Sequence, residues 1–316
     1  MRVFVTGATG VIGSAVVPEL IEAGHQVLGL ARSDASAVSV AAAGAQVHRG
    51  SLDDLDSLRS AAAASDGVIH LAFIHDFVAD YEGIFSDYEG AVRTDLHAVQ
   101  TIGAALEGSG KPFVITSGTL MLTFFLPQGR LGTEKDVADA GSVAPRVVSE
   151  NAALALSRRG VRSSIVRLSP SVHDKRRGGF TEVLISIARE KGVSGYVGDG
   201  SNRWPAVHQL DAARLFRLAL EKALAGSVLH AVAEEGVPTR TIAEVIGRHL
   251  DLPVVSISPE DAGKHFSDYS WLGLFSSKDN PTSSALTREL LGWQPVHPTL
   301  IQDLEDGHFF ENRRIS

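Results

Sequence analysis

A glycine-rich segment near the beginning of the chain has the residue types and spacing that suit a dinucleotide. It reads Thr6-Gly7-Ala8-Thr9-Gly10-Val11-Ile12-Gly13 and directly follows the apolar run Val3–Val5. The first glycine permits a tight turn, the second lets the backbone approach a pyrophosphate, and the third lets a helix pack closely on the strand. The following helix offers N–H groups and a partial positive charge to the phosphates. An ordinary strand–helix turn is the alternative. The predicted cofactor contacts are Thr6, Gly7, Thr9, Gly10, Val11, Ile12 and Gly13.

The end of the second apolar run bears on the identity of the dinucleotide. Residues 27–31 are followed by Arg32 and Ser33, at the place where a carboxylate would bind the ribose hydroxyls and repel a 2′-phosphate. Arginine offers a planar donor fork to a phosphate, and serine adds a hydroxyl. The pattern favours NADP as the cofactor. NAD is the alternative if Asp34 binds the ribose.

Short β-branched runs alternate with helical stretches through the first half of the chain. We expect strands at residues 3–5, 26–30, 45–48, 67–71, 112–116 and 163–168. We expect helices at residues 13–23, 36–43, 55–64, 89–106 and 146–158. Strands that recur between helices predict βαβ units, and continuously apolar strands predict a sheet that is buried on both faces. The expected fold is therefore α/β, a doubly wound parallel sheet of the Rossmann type.

The regular alternation of predicted strands and helices ends after Pro170. Helices are expected at residues 182–191, 211–225, 240–250 and 300–309, a strand at 228–232, and a turn-rich stretch at 256–283. We interpret residues 1–170 plus 205–232 as an NAD(P)-binding Rossmann domain. Residues 171–204 plus 233–316 would then form a smaller C-terminal lobe that binds the substrate.

Composition narrows the class of protein. The chain has 316 residues, 44% hydrophobic and 21% charged, which is typical of a globular protein. It contains no cysteine, which excludes disulfides, cysteine–zinc sites and a cysteine nucleophile. The formal charge of −8 opposes a nucleic-acid or anionic-membrane partner. The chain opens without a signal-peptide pattern, so we expect a cytoplasmic protein. The histidine spacing predicts no metal site.

Five further motifs occur in the order that one protein family shows. They are Gly50-Ser51-Leu52-Asp53-Asp54, Val68-Ile69-His70-Leu71-Ala72, Arg167-Leu168-Ser169-Pro170, Val207-His208-Gln209-Leu210-Asp211 and Leu291-Gly292-Trp293-Gln294-Pro295. With the glycine-rich segment, they resemble the extended short-chain dehydrogenase/reductase superfamily, of the NAD-dependent epimerase/dehydratase type. The resemblance covers nearly the whole chain and implies a nicotinamide cofactor, a small-molecule substrate and a homodimer. It also implies cofactor contacts at Ser51, Leu52, Leu71, Ala72, Phe73, Thr116, Ser169 and Pro170.

The chain differs from this family at the positions of the catalytic residues. Family enzymes carry Tyr-x-x-x-Lys on the helix before the sixth strand, where the tyrosine acts as acid or base. Here Arg146 stands at the tyrosine position and Glu150 at the lysine position. The residues four positions after the tyrosines at 81, 88, 196 and 269 are Phe85, Val92, Gly200 and Gly273. The pair is therefore absent from the whole chain.

Arg146 and Glu150 are spaced i, i+4 on the expected helix and could pair. In a functional interpretation, Glu150 accepts hydrogen bonds from the ribose hydroxyls and Arg146 stabilises negative charge that develops on a substrate oxygen. Arginine is a poor proton donor, so the proton would come from elsewhere. The alternative is a structural salt bridge in a site that has lost the family's acid–base pair.

Other candidates for the chemistry are few. Ser117 and Thr119 flank Gly118, which aligns with the family's catalytic serine or threonine. His173 and Tyr196 are the favoured proton donors, because an imidazole or phenol can serve as a general acid. Further candidates are His75, Asp76 and His208, and a basic loop at residues 175–177 for a phosphate.

The function predicted from the sequence is an NAD(P)-dependent oxidoreductase, with NADP(H) favoured, that transfers a hydride to or from a small carbonyl-type substrate. A non-catalytic NADP(H)-binding redox sensor is the alternative, because the acid–base pair is missing. A sugar-nucleotide epimerase or dehydratase is a weaker alternative. The full-length C-terminal lobe favours an enzyme.

Overall fold

A computed structural model describes residues 1–74, 83–139, 142, 144, 146–174, 179–266 and 270–310 of the chain, without the side chains of 83–87, 270, 271 and 274. His75, Asp76 and the basic loop at 175–177 lie outside the described residues. Within them, the strands are β1 (Arg2–Thr6), β2 (Gln26–Ala31), β3 (Gln46–Arg49), β4 (Gly67–His70), β5 (Pro112–Gly118), β6 (Arg162–Leu168), β7 (Ser171–His173), β8 (Ser194–Val197), β9 (Arg203–His208), β10 (Ser227–Ala231), β11 (Glu234–Pro238) and β12 (Val254–Ile257).

The described helices follow the predicted alternation. They are α1 (Gly13–Glu22), α2 (Asp34–Ala42), α3 (Leu55–Ala63), α4 (Gly83–Leu106), α5 (Val147–Leu156), α6 (Phe180–Lys191), α7 (Gln209–Lys222), α8 (Thr239–Leu250), α9 (Ala262–His265), α10 (Ser270–Phe275), α11 (Ala285–Leu291) and α12 (Leu300–Glu305). Helix α4 begins earlier than residue 89, where the sequence predicted it to begin. Two short helices, α9 and α10, lie within the stretch that was expected to be rich in turns. Within the described residues no helix is both long enough and apolar enough to cross a bilayer.

Seven parallel strands form the central sheet, in the order β10-β6-β5-β4-β1-β2-β3. One face is covered by a core that includes α1 and α7, and the other by a core that includes α3, α4 and α5. The buried strands carry apolar side chains on both faces, as a sheet between two helical layers requires. The prediction of a doubly wound Rossmann sheet is confirmed.

The strand order reverses at β1. Strand β2 lies on one side of β1, and β4 lies on the other. The connections therefore run in opposite directions from this point, which leaves a crevice at the carboxyl ends of β1 and β4. Open α/β sheets bind their ligands in such a crevice.

Two smaller sheets lie outside the central one. Strand β9 pairs with β7 in parallel and with β11 in antiparallel orientation, and β12 pairs with β8. Their cores contain Ile185, Ile246 and Leu304 in one cluster and Trp204 and Phe266 in another. The boundary proposed at residue 205 falls inside β9. The division into a cofactor domain and a substrate lobe stays a prediction.

A stretch of residues 279–288, here called the 279–288 segment, connects distant parts of the chain. The Gly132 N–H donates to the carbonyl of Pro281 at 2.8 Å. The Thr287 hydroxyl donates to the buried Glu134 carboxylate at 2.7 Å. The Asn280 amide donates to the hydroxyl of Thr119 at 3.1 Å. Each of these bonds satisfies a polar group that is removed from water.

Candidate functional site

The glycine-rich segment turns at the crevice between β1 and β4. Gly7 has a φ of +67°, and a Cβ there would lie 2.7 Å from the backbone nitrogen of Ala72. A Cβ on Gly13 would lie 2.0 Å from the Gly7 carbonyl oxygen, whereas one on Gly10 would meet nothing closer than 3.4 Å. The turn at Gly7 and the close helix–strand packing at Gly13 are therefore confirmed. Gly10 lies on the exposed side, where a ligand can approach its backbone.

A chain of hydrogen bonds leads from the glycine turn into the sheet edge. The Thr6 hydroxyl lies 2.7 Å from Nδ1 of His70, and Nε2 of His70 lies 3.2 Å from Asp95. The tautomer that fits the carboxylate carries its proton on Nε2 and accepts from Thr6. The Ala72 N–H also donates to the Thr6 hydroxyl, at 3.2 Å. We call Thr6, His70, Asp95, Arg146 and Thr116 the polar network.

Arg146 completes the polar network at the ends of the strands. Its guanidinium lies 3.3 Å from Asp95 and donates to the backbone carbonyl of Thr116, at the end of β5, at 2.8 Å. It also stacks 4.2 Å from the ring centre of Phe73. Burial raises the pKa of Asp95, but Arg146 and His70 together lower it to about 2. Asp95 is therefore ionised, and a fixed cation faces the crevice.

Tyr88 belongs to the same cluster. Its ring lies 6.0 Å from that of Phe73 in an edge-to-face arrangement. Burial raises the pKa of Tyr88, while Arg146 opposes that rise and Asp95 adds to it. The sequence interpretation did not single out Tyr88 or Asp95. A signal was present, because both lie on the apolar face of α4 that also carries Ala91 and Ala98.

Arg146 and Glu150 do not form the expected i, i+4 pair. Glu150 instead binds Arg167, with Nε to Oε1 at 2.9 Å and Nη2 to Oε2 at 2.6 Å. Both side chains are almost completely buried. The expectation that Glu150 accepts from the ribose hydroxyls is not supported, since its two oxygens are already paired inside the protein. Each residue has a tertiary partner that outweighs a local helical pair, which is worth only about 0.5 kcal/mol.

His230 is a further buried side chain next to Arg167. The guanidinium lies 3.4 Å from Nε2 of His230, and Nδ1 of His230 lies 2.8 Å from the carbonyl of Ser283. Burial and the neighbouring guanidinium lower the pKa of His230 to about 4. His230 is therefore neutral near pH 7, with its proton on Nδ1. The surroundings of Glu150 are thus a packed polar core.

The predicted hydroxyl candidates at the end of β5 have different environments. Ser117 is 3% exposed, and its hydroxyl has no hydrogen-bond partner among the described residues. It points to the same face of the sheet as Phe113 and Ile115, the face that carries α4 and α5. Thr119 is buried and accepts from Asn280. Ser117 therefore lies on the side of the sheet where Arg146 enters, and Thr119 is engaged elsewhere.

The two predicted proton donors lie among the smaller sheets. His173 is buried in β7, and its Nδ1 lies 2.8 Å from Asp303. Tyr196 lies in β8 beneath the guanidinium of Arg240, at 5.6 Å. The structure brings neither of them into the polar network. Ser169, another predicted contact, is buried and donates its hydroxyl to Ala231 at 2.8 Å, while Pro170 is buried beside it.

The predicted adenosine end of the site lies at the ends of β2 and β3. Arg32 is exposed, and Ser33 caps α2 through a reciprocal pair of hydrogen bonds with Ser36. Asp34 forms an ion pair with Arg49. Both side chains of this pair are exposed, so Asp34 stays accessible to solvent. Ser51 and Leu52 follow β3 and are partly exposed, as is Leu71 after β4.

The sheet, the glycine turn and the crevice at β1 and β4 define a dinucleotide-binding Rossmann protein. A sequence model of the NAD dependent epimerase/dehydratase family matches residues 3–121. The chain is 48% identical to the uncharacterized protein C2A9.02 of Schizosaccharomyces pombe, over 98% of this chain and 100% of that one. It is 45% identical to the uncharacterized protein YLL056C of Saccharomyces cerevisiae, over 96% and 98%. The chain belongs to the NAD dependent epimerase/dehydratase family.

A solved structure has the same fold. It is a double mutant of DesIV, a dTDP-glucose 4,6-dehydratase from Streptomyces venezuelae, with NAD bound. It superposes with a TM-score of 0.76 at 19% identity, and the match covers 99% of this chain and 98% of that one. At this identity the likeness concerns the fold.

Proposed function

We propose that the chain is an NADP(H)-dependent oxidoreductase that transfers a hydride to or from a small carbonyl-type substrate. The observation that carries this proposal is the position of Arg146. Its guanidinium is held by Asp95 and the Thr116 carbonyl at the carboxyl edge of the sheet, next to the glycine turn. A fixed cation there can stabilise the negative charge that forms on a carbonyl oxygen during hydride transfer.

The glycine turn fits a dinucleotide. Thr9, Gly10 and Val11 are exposed, and the N-terminus of α1 has no side-chain cap. A diphosphate can therefore accept hydrogen bonds from the first turn of the helix. A bound nicotinamide would supply the hydride chemistry, and the chain's own contribution is to orient it and to exclude water.

The residues after β2 support the choice of NADP. Arg32 is exposed, and the neighbouring carboxylate of Asp34 is paired with Arg49. Two arginines, Arg32 and Arg49, therefore lie near the place where a 2′-phosphate would be bound, beside the single carboxylate of Asp34. The small-molecule substrate, the homodimer and the cytoplasmic location also stay proposals.

The test measures binding before turnover. NADPH and NADH are titrated by fluorescence, and oxidation of each is then followed against aldehydes, ketones, quinones and imines. We expect tighter binding of NADPH and turnover on at least one carbonyl compound. Arg32→Ala should weaken NADPH binding about tenfold or more and leave NADH binding nearly unchanged. Arg158→Ala, an exposed arginine in the turn before β6, is the matched control.

A redox sensor without turnover is the rival function, favoured by the absence of the Tyr–Lys pair. Tight NADPH binding without oxidation on any compound of the panel would support the sensor. Failure to bind either dinucleotide would overturn both functions.

A further inference from the structure

Tyr88, Phe73 and Arg146 form one cluster at the carboxyl edge of the sheet. The Phe73 ring lies 4.2 Å from the Arg146 guanidinium and 6.0 Å from the Tyr88 ring. Tyr88 is seven residues before Asp95 on α4, which is two helical turns and therefore the same helix face. The helix that supplies the counter-ion of Arg146 thus also supplies a phenol.

This cluster lies beside the crevice where the strand order reverses. Phe73 follows Ala72, whose backbone nitrogen is the atom that a Cβ on Gly7 would meet at 2.7 Å. Arg146 contacts the carbonyl of Thr116 at the end of β5. Strands β1, β4 and β5 are neighbours, so the cluster borders the glycine turn.

The reaction under "Proposed function" requires a proton that Arg146 cannot give, because arginine stays protonated at all working pH values. The two donors favoured from the sequence lie among the smaller sheets, where His173 binds Asp303 and Tyr196 lies against Arg240. Ser117 lies on the same side of the sheet as Arg146, but an aliphatic hydroxyl is a far weaker acid than a phenol. Among the described residues, Tyr88 is the phenol that shares the Phe73 contact with Arg146.

We propose that Tyr88 is the proton donor of this reaction, in the place of the tyrosine that the family carries on the helix before β6. The inference rests on the proposed function. In the reduction, the carbonyl carbon receives a hydride, with its two electrons, from the reduced nicotinamide. The C=O π pair takes the proton of the Tyr88 Oη–H, so the O–H bond of the phenol breaks and an alcohol forms. The phenolate then takes a proton from water, and the nicotinamide is left oxidised.

The electrostatics of the cluster keep the phenol of Tyr88 protonated until the reaction. Burial raises the pKa of Tyr88, so its hydroxyl is protonated at neutral pH before the reaction. Arg146 opposes that rise, which means that it stabilises the phenolate left after proton transfer. Arg146 therefore offsets part of the effect that burial has on the pKa of the phenol.

Tyr88→Phe tests the proposal, because it removes only Oη and retains the ring contact with Phe73. We expect kcat to fall about 100-fold or more, the range typical of a general acid, with the Kd for NADPH unchanged by fluorescence. Tyr196→Phe tests the rival donor in parallel. Full turnover in Tyr88→Phe would overturn the proposal, and so would a loss confined to Tyr196→Phe.

A second measurement does not depend on turnover. The chain has four tyrosines, so labelling their Cζ atoms with ¹³C gives four NMR signals, and Tyr88 is the signal that Tyr88→Phe lacks. NADP⁺ should lower the pKa of Tyr88, because a positive nicotinamide beside a phenol favours the phenolate, whereas NADPH should not. Binding of NADP⁺ without a shift would overturn the role of Tyr88 alone. Absence of binding would overturn the proposed function together with it.

Discussion

Glu150 and Arg167 form a buried ion pair in which both carboxylate oxygens accept from one guanidinium, at 2.9 and 2.6 Å. The guanidinium also donates to the carbonyl of Asp136 at 2.8 Å. Two charges are thus removed from water as a neutral, fully hydrogen-bonded unit. The position that resembles the family's lysine has been converted into part of the structural core.

Glu150→Lys recreates the family's lysine in the chain. We expect it to destabilise the protein by about 3–5 kcal/mol, because it places a second cation next to the buried Arg167. Thermal and denaturant unfolding measure the change. Glu244→Lys, at a partly exposed glutamate on α8 that pairs with the exposed Arg240, is the control. A stable Glu150→Lys protein with raised activity would contradict the structural role of Glu150.

Arg146→Ala removes the cation that faces the crevice. We expect kcat to fall about 100-fold, the effect of deleting one donor to a developing oxyanion, with a smaller change in KM. Asp95→Asn retains the size and shape of the side chain beside Arg146 but removes its negative charge. Arg146 itself is retained, so this variant should lower kcat less than Arg146→Ala does. Steady-state kinetics on the reactive carbonyl compound compare the two variants. Equal activity in wild type and Arg146→Ala would remove Arg146 from the chemistry.

Because the pKa of His230 is lowered in the folded protein, we expect the protein to lose stability in mild acid. Its pKa in the folded protein is about 4, against an ordinary 6.5, so between these values the unfolded chain binds a proton that the folded chain does not. The contribution of His230 to stability is therefore complete above pH 6.5, and about 3 kcal/mol of it is lost as the pH drops to 4. Urea unfolding across this range measures the slope. His230→Gln should flatten the slope, and His97→Gln, at an exposed histidine, should leave it unchanged.

Substitutions at two glycines of the turn should have different effects: one should lower the stability of the fold, and the other should weaken cofactor binding. Gly13→Ala places a methyl group 2.0 Å from the Gly7 carbonyl, so we expect about 2 kcal/mol or more of destabilisation. Gly10→Ala has room for its Cβ, so we expect a normal melting temperature and weak NADPH binding. Calorimetry and fluorescence titration distinguish the two. A tightly binding Gly10→Ala protein would argue against a diphosphate at this backbone.

Local patterns in the sequence predicted the sheet. Apolar runs such as Val3–Val5, separated by helical stretches, determine which segments become buried parallel strands, and the spacing of Gly7 and Gly13 is fixed by sterics within one turn. These properties depend on neighbours in the chain. For that reason the strands of the central sheet and the glycine turn could be predicted, whereas β7, β8, β9, β11, β12 and α11 were not.

The partners of the charged residues could not be predicted in the same way. Arg146 lies 51 residues from Asp95 in the sequence, and Glu150 lies 17 residues from Arg167. The i, i+4 rule weighs only local geometry, whereas burial makes tertiary ion pairs far stronger. A charged residue on an apolar helix face, such as Asp95, was the available sign that such a partner exists.

The 279–288 segment also orders events during synthesis. Once residue 231 has been made, every strand of the central sheet is present in the nascent chain, but the partners of Glu134 and Thr119 are still to come. A fragment that ends before residue 279 therefore contains every strand of the central sheet. In that fragment, Glu134 and Thr119 lack the hydrogen-bond partners that they have in the whole chain. We expect such fragments to be recognised by chaperones and proteases, so that accumulation of the protein reports successful synthesis of the 279–288 segment.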